Sequence, residues 1–130
     1  MNNNKKDLCD RTFQFALEVV SLCRILSKKA GVAQTISKQL LRSGTSIGAN
    51  VEEGQAAQSR ADFASKYSIA RKEARETHYW LRLLSESGIL PDSQVNGLIT
   101  ECNELIAILT AIVKKVQIAK DEERKKKRKE

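Results

Sequence analysis

The sequence contains one proline and few aromatic residues, and both shortages favour a helical protein. Pro91 is the only proline in 130 residues, and aromatic side chains make up 5% of the chain, whereas hydrophobic residues make up 41%. A core of leucine, isoleucine, valine and alanine with few chain breaks is typical of an all-α protein. The length favours one domain that buries a core without support from metals or disulfides.

Residues that bind metals or attack substrates are also scarce. The cysteines, Cys9, Cys23 and Cys102, lack a Cys-x-x-Cys spacing, and His78 is the only histidine. The sequence therefore predicts no metal site and no cofactor. An odd number of unpatterned cysteines favours reduced thiols. The first residues carry no apolar run of signal length and no stretch approaches a membrane span, so we expect a cytoplasmic protein without a membrane partner.

Hydrophobic periodicity predicts four helices, at about residues 8–29, 33–57, 60–87 and 92–119. Short turns between them predict an antiparallel up-down four-helix bundle over residues 1–119. In the first helix the periodicity assigns Phe13, Ala16, Leu17, Val20, Cys23 and Leu26 to the core face, broadened by Phe15, Val19 and Leu22. Across the bundle we expect a core that includes Leu40, Ile47, Phe63, Leu81, Ile99, Ile106 and Leu109.

Positive charge is concentrated at the end of the chain. The net charge is +7, and residues 114–130 hold nine lysines and arginines against four acidic residues, which leaves +2 for residues 1–113. Residues 120–130 are predicted to be a frayed or disordered tail. Two interpretations stay open for this tail, a soluble end and a nucleic-acid-binding arm. The arm would use Lys125, Lys126, Lys127 and Arg128.

The second helix combines glycines with a row of polar residues. Gly44 and Gly48 lie one turn apart, which indicates close packing, and the small residues of the third helix favour that helix as the neighbour. A polar seam runs beside them, either as a structural hydrogen-bond network or as a ligand site. Its members and their expected partners are Gln39, Arg42, Ser43, Ser46, Asn50, Glu53 and Glu73.

The third helix carries two candidate surfaces outside its core stripe. The first is a set of extra apolar residues, Ile69, Trp80 and Leu83, that predicts an oligomer interface. The second is a basic stripe that suits phosphates and exposed bases. It contains Arg71, Arg75 and Arg82, with Lys72 and Tyr79 alongside. The alternative is that these arginines only solvate the outer face, helped by the intervening Glu73 and Glu76.

Catalysis is weakly supported, and we predict that the protein is not an enzyme. No serine or cysteine nucleophile has a recognisable base or Gly-x-Ser-x-Gly elbow. One enzymatic alternative is an RNase that uses Arg71 and His78 of the third helix, which have six residues between them. A metal-dependent bundle needs Glu-x-x-His pairs, and His78 has an arginine at that position.

Two segments together resemble a known family. The segment LLRSGTSIGANVEEG (residues 40–54) and the segment SRADFASKYSIARKEARETHYWLRLLSESGIL (residues 59–90) are similar to the bacterial four helix bundle proteins. That family is also called the 23S rRNA intervening-sequence protein family. The chain departs from the usual Ala-Glu-Gly motif at Glu52 and has Asp62 before Phe63. The family is similar to accessory proteins of diversity-generating retroelements, so the resemblance implies a pentamer that binds nucleic acid.

Together these observations predict a homo-oligomeric four-helix bundle, pentameric by resemblance, that acts as a nucleic-acid-binding scaffold. The partners would be other copies of the chain, RNA or DNA, and a nucleic-acid-processing enzyme. A protein-only scaffold is the first alternative, and the RNase is the second.

Overall fold

The computed structural model describes residues 4–129 and contains four α-helices joined by short turns. They are α1 (Asn4–Leu26), α2 (Val32–Gln55), α3 (Arg60–Glu86) and α4 (Asp92–Lys129), and the described residues include no β-strand. Consecutive helices pack as neighbours, and α4 returns to contact α1 less extensively. The predicted antiparallel up-down four-helix bundle is confirmed.

Small residues set the boundaries between the helices. Gly31 and Gly88 have φ angles of 78° and 80°, a left-handed conformation that glycine adopts without a steric cost. Ser59 Oγ accepts a hydrogen bond from the Asp62 amide at 3.0 Å and thereby caps the N-terminus of α3. The first helix ends at Leu26, earlier than the predicted end at residue 29.

One face of each helix contributes to a single apolar core. Four of the expected core residues are buried, namely Leu40, Ile47, Leu81 and Leu109. The other three pack against the core as half-buried side chains, namely Phe63, Ile99 and Ile106. The core therefore follows the predicted stripes on α2, α3 and α4.

The prediction of which face of α1 packs into the core is wrong in part. Phe13 and Leu17 are exposed by 57% and 48%, whereas Phe15 and Val19 of the broadening stripe are completely buried. Apolar residues surround most of α1, so helical spacing alone fits both stripes. Contacts with the other helices select one of them, for example the ion pair of Arg11 with α4.

The predicted neighbour of the α2 glycines is also wrong, because they face α1. A Cβ atom added to Gly44 would lie 2.9 Å from Val19 Cγ1, and one added to Gly48 would lie 3.2 Å from Thr12 Oγ1. A third glycine, Gly54, allows a similarly close approach between α2 and Tyr67 of α3. The close approach of α1 and α2 thus depends on the absence of side chains at residues 44 and 48.

The fourth helix is the longest element of the bundle. It has 38 residues, about 57 Å at 1.5 Å per residue, whereas α3 has 27. The chain after residue 119 continues as helix to Lys129, where the sequence predicted fraying or disorder; Glu130 of that predicted tail lies outside the described residues. Each acidic residue at 121–123 precedes a lysine by four positions, a spacing that stabilises a helix.

A segment of α4 is also long and apolar enough to cross a membrane. An 18-residue window meets this criterion by length and composition, so the prediction that no stretch approaches a membrane span is wrong on that criterion. The same helix buries Val95, Leu98, Cys102, Leu105 and Leu109 in the bundle. Core helices of bundles meet the criterion as well, and the expected absence of a membrane partner stays a prediction.

Candidate functional site

The three arginines of the basic stripe, Arg71, Arg75 and Arg82, lie along α3 beside its buried face. They project within a sector of about 40° and span roughly 16 Å of helix. Arg75 and Arg82 are exposed, and Arg71 is half-buried. Lys72 and Tyr79, which were predicted to bind nucleic acid with them, are exposed on the adjoining outer face. The structure therefore presents these five side chains on one side of α3.

The acidic residues within the stripe's length point toward α2. Arg42 Nη1 of α2 donates a hydrogen bond to Glu73 Oε1 at 3.1 Å, and Arg42 Nη2 donates one to Glu76. Trp80 Nε1 donates another to Glu76 at 3.2 Å. Among the described residues, no stripe arginine has a carboxylate oxygen within 4.0 Å. None of the three arginines is therefore held in an ion pair, and the acidic residue on their side of α3 is Glu86, which shares a cleft with Arg82.

The only histidine lies half-buried on the same side of α3 as the stripe. Burial, together with the nearby positive charge of Arg82, holds the pKa of His78 below its usual range. The imidazole is therefore neutral at pH 7, and the positive charge of this surface comes from its arginines and lysine. Use of Arg71 and His78 in an RNase reaction stays a prediction.

Because the chain has one histidine, the pKa of His78 is accessible by NMR titration of a single imidazole. We expect a value below 6.5, the ordinary value, and a rise toward it in Arg82→Gln. Below pH 6.5 the unfolded chain then binds more protons than the folded one, so this group lowers stability as the pH falls. Arg24→Gln, on exposed α1 surface, should leave the pKa unchanged. If the pKa of His78 is the same in Arg82→Gln and in wild type, the charge of Arg82 does not contribute to lowering it.

The polar seam lies along the contact between α2 and α3. Ser43 is buried with its Oγ 2.9 Å from Thr77 Oγ1, and Lys66 Nζ pairs with Glu53 at 3.0 Å. With the bonds of Arg42, these contacts fix the register of the two helices, which favours the structural interpretation of the seam. The other members bond to carbonyls of their own helix or face solvent, namely Ser46, Asn50 and Gln39. Ligand binding by the seam stays a prediction.

The three residues expected at an oligomer interface differ in exposure. Ile69 and Leu83 are exposed by 38% and 36%, whereas Trp80 is half-buried against the core. Tyr79 packs edge-on against Trp80, with ring centroids 5.2 Å apart, and keeps half of its surface exposed. Tyr79 and Leu83 are thus exposed one turn apart on the outer side of α3, whereas Ile69 lies about 15 Å away along the helix.

The remaining predicted nucleic-acid contacts lie at the C-terminal end of α4. Lys125, Lys126, Lys127 and Arg128 are all exposed. Successive side chains project about 100° apart, so these four surround the helix with positive charge. Arg60 of α3 donates a hydrogen bond to Glu123 and links this part of α4 to the bundle. We call residues 124–129 the basic end of α4.

Sequence reasoning missed a groove of about 350 Å³ between α1 and α2. The groove is lined by Gly48, by the carboxylate-bearing Glu52 and by six further residues that are mainly apolar, namely Phe13, Ala16, Leu17, Val20, Thr45 and Ala49. The sequence did contain the apolar side chains that line this groove on α1, but their periodicity assigned them to the core of the bundle. This surface is hereafter the α1/α2 groove.

The thiols offer little chemistry. Burial raises the pKa of Cys102 to about 12 and also raises that of Cys23, so both thiols stay protonated at neutral pH. Within residues 4–129, no group of three or more histidine, cysteine or acidic side chains gathers as a metal site would require. The expectation of no metal or cofactor stays a prediction.

The sequence and the fold are similar to those of known proteins. The model of the family described as 23S rRNA-intervening sequence protein matches residues 4–111. A crystal structure of a protein with unknown function from the S23 ribosomal protein family of Bacteroides thetaiotaomicron is 42% identical, covers 82% of this chain and 98% of its own, and has a TM-score of 0.76. No curated protein is significantly similar to the chain.

Proposed function

Because the chain belongs to the 23S rRNA-intervening sequence protein family, we propose that it is a homo-oligomeric, non-enzymatic scaffold that binds nucleic acid. A pentamer is the assembly that the family resemblance implies. The similar crystal structure is itself of a protein with unknown function, so the support comes from the surface of this chain. In this role the bundle holds RNA or DNA, or joins it to a nucleic-acid-processing enzyme.

The observation that carries the proposal is that the arginines of the basic stripe form no ion pair with the described residues and are free to bind phosphate. Arg42 pairs with Glu73 and Glu76 on the side of α3 that faces α2, and none of the three stripe arginines has a carboxylate oxygen within 4.0 Å among the described residues. Guanidinium groups bind phosphates through paired hydrogen bonds, and an aromatic ring beside them can stack on a base. The exposed ring of Tyr79 is available on the adjoining face.

A second positive surface supports the same function. The basic end of α4 holds six cationic side chains and no acidic one, and all of them are exposed. A helical bundle without a groove-reading motif contacts phosphates rather than base edges, so we expect little sequence preference. Repetition of both surfaces around an oligomer would add their fields.

The test measures binding of a structured RNA and of duplex DNA by fluorescence anisotropy over a salt series. Wild-type protein should bind at low salt, and affinity should fall as salt displaces it from phosphates, with a slope of about −0.9 per neutralised phosphate on duplex DNA. Reversal of Arg71, Arg75 and Arg82 to glutamate should abolish binding. Removal of residues 120–130 should weaken binding for every sequence and flatten the slope.

A matched control changes the same total charge at another surface. Lys28, Lys29 and Lys38 are exposed near the turn between α1 and α2, and their reversal to glutamate should preserve most of the binding. Equal loss in both triple variants would mean that net charge alone attracts the nucleic acid. If wild-type protein at micromolar concentration binds neither RNA nor DNA at low salt, a protein-only scaffold replaces the proposal. Cleavage of the RNA that His78→Ala stops would favour the RNase.

A further inference from the structure

A cleft of about 490 Å³ lies between α3 and α4, near the first residue of α3. Its volume falls within the range of small-ligand sites in proteins, about 300–1,000 Å³. Arg60 and Lys120 bring positive charge to this cleft, and Glu123 brings a negative charge. The rest of the lining combines small apolar side chains with uncharged polar ones, namely Ala61, Ala64, Ser65, Ser68, Val116 and Gln117. We call this site the α3/α4 cleft, and none of its lining belongs to the basic stripe or to the basic end of α4.

One cation of the cleft is paired and the other is not. Arg60 donates a hydrogen bond to Glu123 across the cleft. Among the described residues, Lys120 has no carboxylate oxygen within 4.0 Å. The side chains of Asp121 and Glu122 project about 100° and 160° away from it around α4. Lys120 is therefore the charge of the cleft that is available to an anionic ligand.

The cleft continues the basic stripe toward the beginning of α3. Arg60 and Ser68 project in the same sector of about 80° as the three stripe arginines, and Ser68 precedes Arg71 by about 4.5 Å of helix. Because α4 forms the other wall of the cleft, this sector is the side of α3 turned toward α4. On α4, Lys120 and Lys127 project within about 20° of each other, so this wall leads into the basic end of α4. The cleft thus joins the two basic surfaces into one track.

Within the described residues, carboxylates reach the α3 part of this track at its two ends. Glu86 lies beside Arg82 at one end, and Glu123 is held by Arg60 at the other. Between these ends, Asp62 projects about 160° away from Arg60. Other carboxylates of α3 and α4 along this length are paired with arginines of α1 and α2, namely those of Glu73, Glu76, Glu101 and Glu104. A chain of phosphates along the track therefore meets mainly cationic and neutral groups.

The shape and the polar groups of the cleft suit an unpaired nucleotide. The axes of packed helices lie about 8–10 Å apart, so the opening between α3 and α4 admits the base of a single strand and excludes a duplex. The hydroxyls of Ser65 and Ser68 both donate and accept hydrogen bonds. Gln117 Nε2 donates to Asp121 at 3.1 Å, which leaves the Gln117 carbonyl oxygen for the edge of a base. Such adaptable groups accept any base, in keeping with the little sequence preference expected above.

We propose that the α3/α4 cleft binds one unpaired nucleotide of a single strand, whose backbone follows the basic stripe through the cleft to the basic end of α4. Lys120 binds a phosphate of this nucleotide, and Ser68 and Gln117 contact the base. The proposal rests on the nucleic-acid binding of the proposed function. It adds a base contact that only unpaired RNA or DNA offers.

The test separates the base from the phosphates. Fluorescence anisotropy compares oligothymidylate of about 16 nucleotides with an abasic strand of the same length and charge. Wild-type protein should bind oligothymidylate about tenfold more tightly, a gain that one or two hydrogen bonds account for. Ala64→Leu fills the cleft without a change of charge and should bind the two strands equally. Lys120→Gln should weaken binding of both and lower the salt slope by about 0.7.

Lys115→Gln and Ala107→Leu are the matched controls and should bind as wild type does. Both residues are exposed on α4 and project about 140° away from Lys120. Ser65→Leu, at the exposed rim of the cleft, replaces Ala64→Leu if that variant loses its helical circular dichroism.

Two results would overturn the cleft and leave the proposed function intact. The first is equal binding of oligothymidylate and the abasic strand by wild-type protein, which would show that no base is contacted. The second is an unchanged preference for oligothymidylate in the folded cleft-filling variant, which would place the base contact elsewhere. Wild-type protein that binds neither strand at low salt would overturn both the cleft and the nucleic-acid-binding function.

Discussion

Gly54→Ala is expected to destabilise the protein by about 1–3 kcal/mol, the usual cost of overpacking a core. The added Cβ would lie 2.5 Å from Tyr67 Cε1 and 2.7 Å from Cδ1. The ring of Tyr67 has no room to move, because it is 1% exposed and stacks on Phe63 with centroids 4.2 Å apart. The substitution therefore forces α2 and α3 apart near the end of α2.

Gly97→Ala provides the opposite result within the same protein. Gly97 lies inside α4, is exposed, and has nothing within 4 Å of an added Cβ. Alanine should stabilise the helix there by up to about 1 kcal/mol. Urea denaturation at one fixed protein concentration measures both changes. Equal stability of Gly54→Ala and wild type would show that the Tyr67 ring yields at little cost, and the assigned role of Gly54 would be wrong.

Thr77→Val is expected to cost about 1–3 kcal/mol, because it removes the partner of a buried hydroxyl. Ser43 Oγ would keep only the carbonyl of Leu40, at the long distance of 3.5 Å. Ser43→Ala should cost less, since Thr77 Oγ1 retains the Glu73 carbonyl at 2.7 Å. The two hydroxyls thus depend on each other unequally.

A double-mutant cycle with denaturant unfolding isolates this coupling. Ser43→Ala with Thr77→Val should cost less than the sum of the single changes, because no buried polar group is left without a partner. Thr100→Val on the exposed side of α4 should stay within about 0.5 kcal/mol of wild type. Strict additivity of the two changes would show that the hydroxyls do not interact.

The cores of α2 and α3 could be predicted because each helix has one clear apolar stripe. On α3 the core stripe predicted by helical spacing begins at Phe63, which is half-buried, and its later members are all buried, namely Tyr67, Ala70, Ala74, Thr77, Leu81 and Leu84. The core face of α1 could not be predicted, because Phe13 and Phe15 belong to two different apolar stripes that both have helical spacing. Spacing defines stripes, but only the positions of α2 and α4 decide which of them is covered.

The members of the basic stripe also followed from spacing, since residues on one helix keep fixed relative directions. Whether acidic residues pair with these arginines could not be predicted from spacing. The sequence interpretation grouped Glu73 and Glu76 with the arginines of their own helix, whereas in the structure both bond to Arg42, which is more than thirty positions away in the sequence. Only the register of α2 on α3 selects Arg42. The α1/α2 groove was missed because its α1 side chains, such as Phe13 and Leu17, had been assigned to the buried core and were therefore not considered as surface residues.

The limited contact between α1 and α4 has a consequence for the order of folding. Every extensive helix contact joins elements that follow one another in the sequence, and the closing contact includes the ion pairs of Arg11 with Glu101 and Glu104. Local contacts require little loop-closure entropy and favour fast folding. The helices can therefore pack in the order in which they leave the ribosome, as successive hairpins, and the two terminal helices meet last.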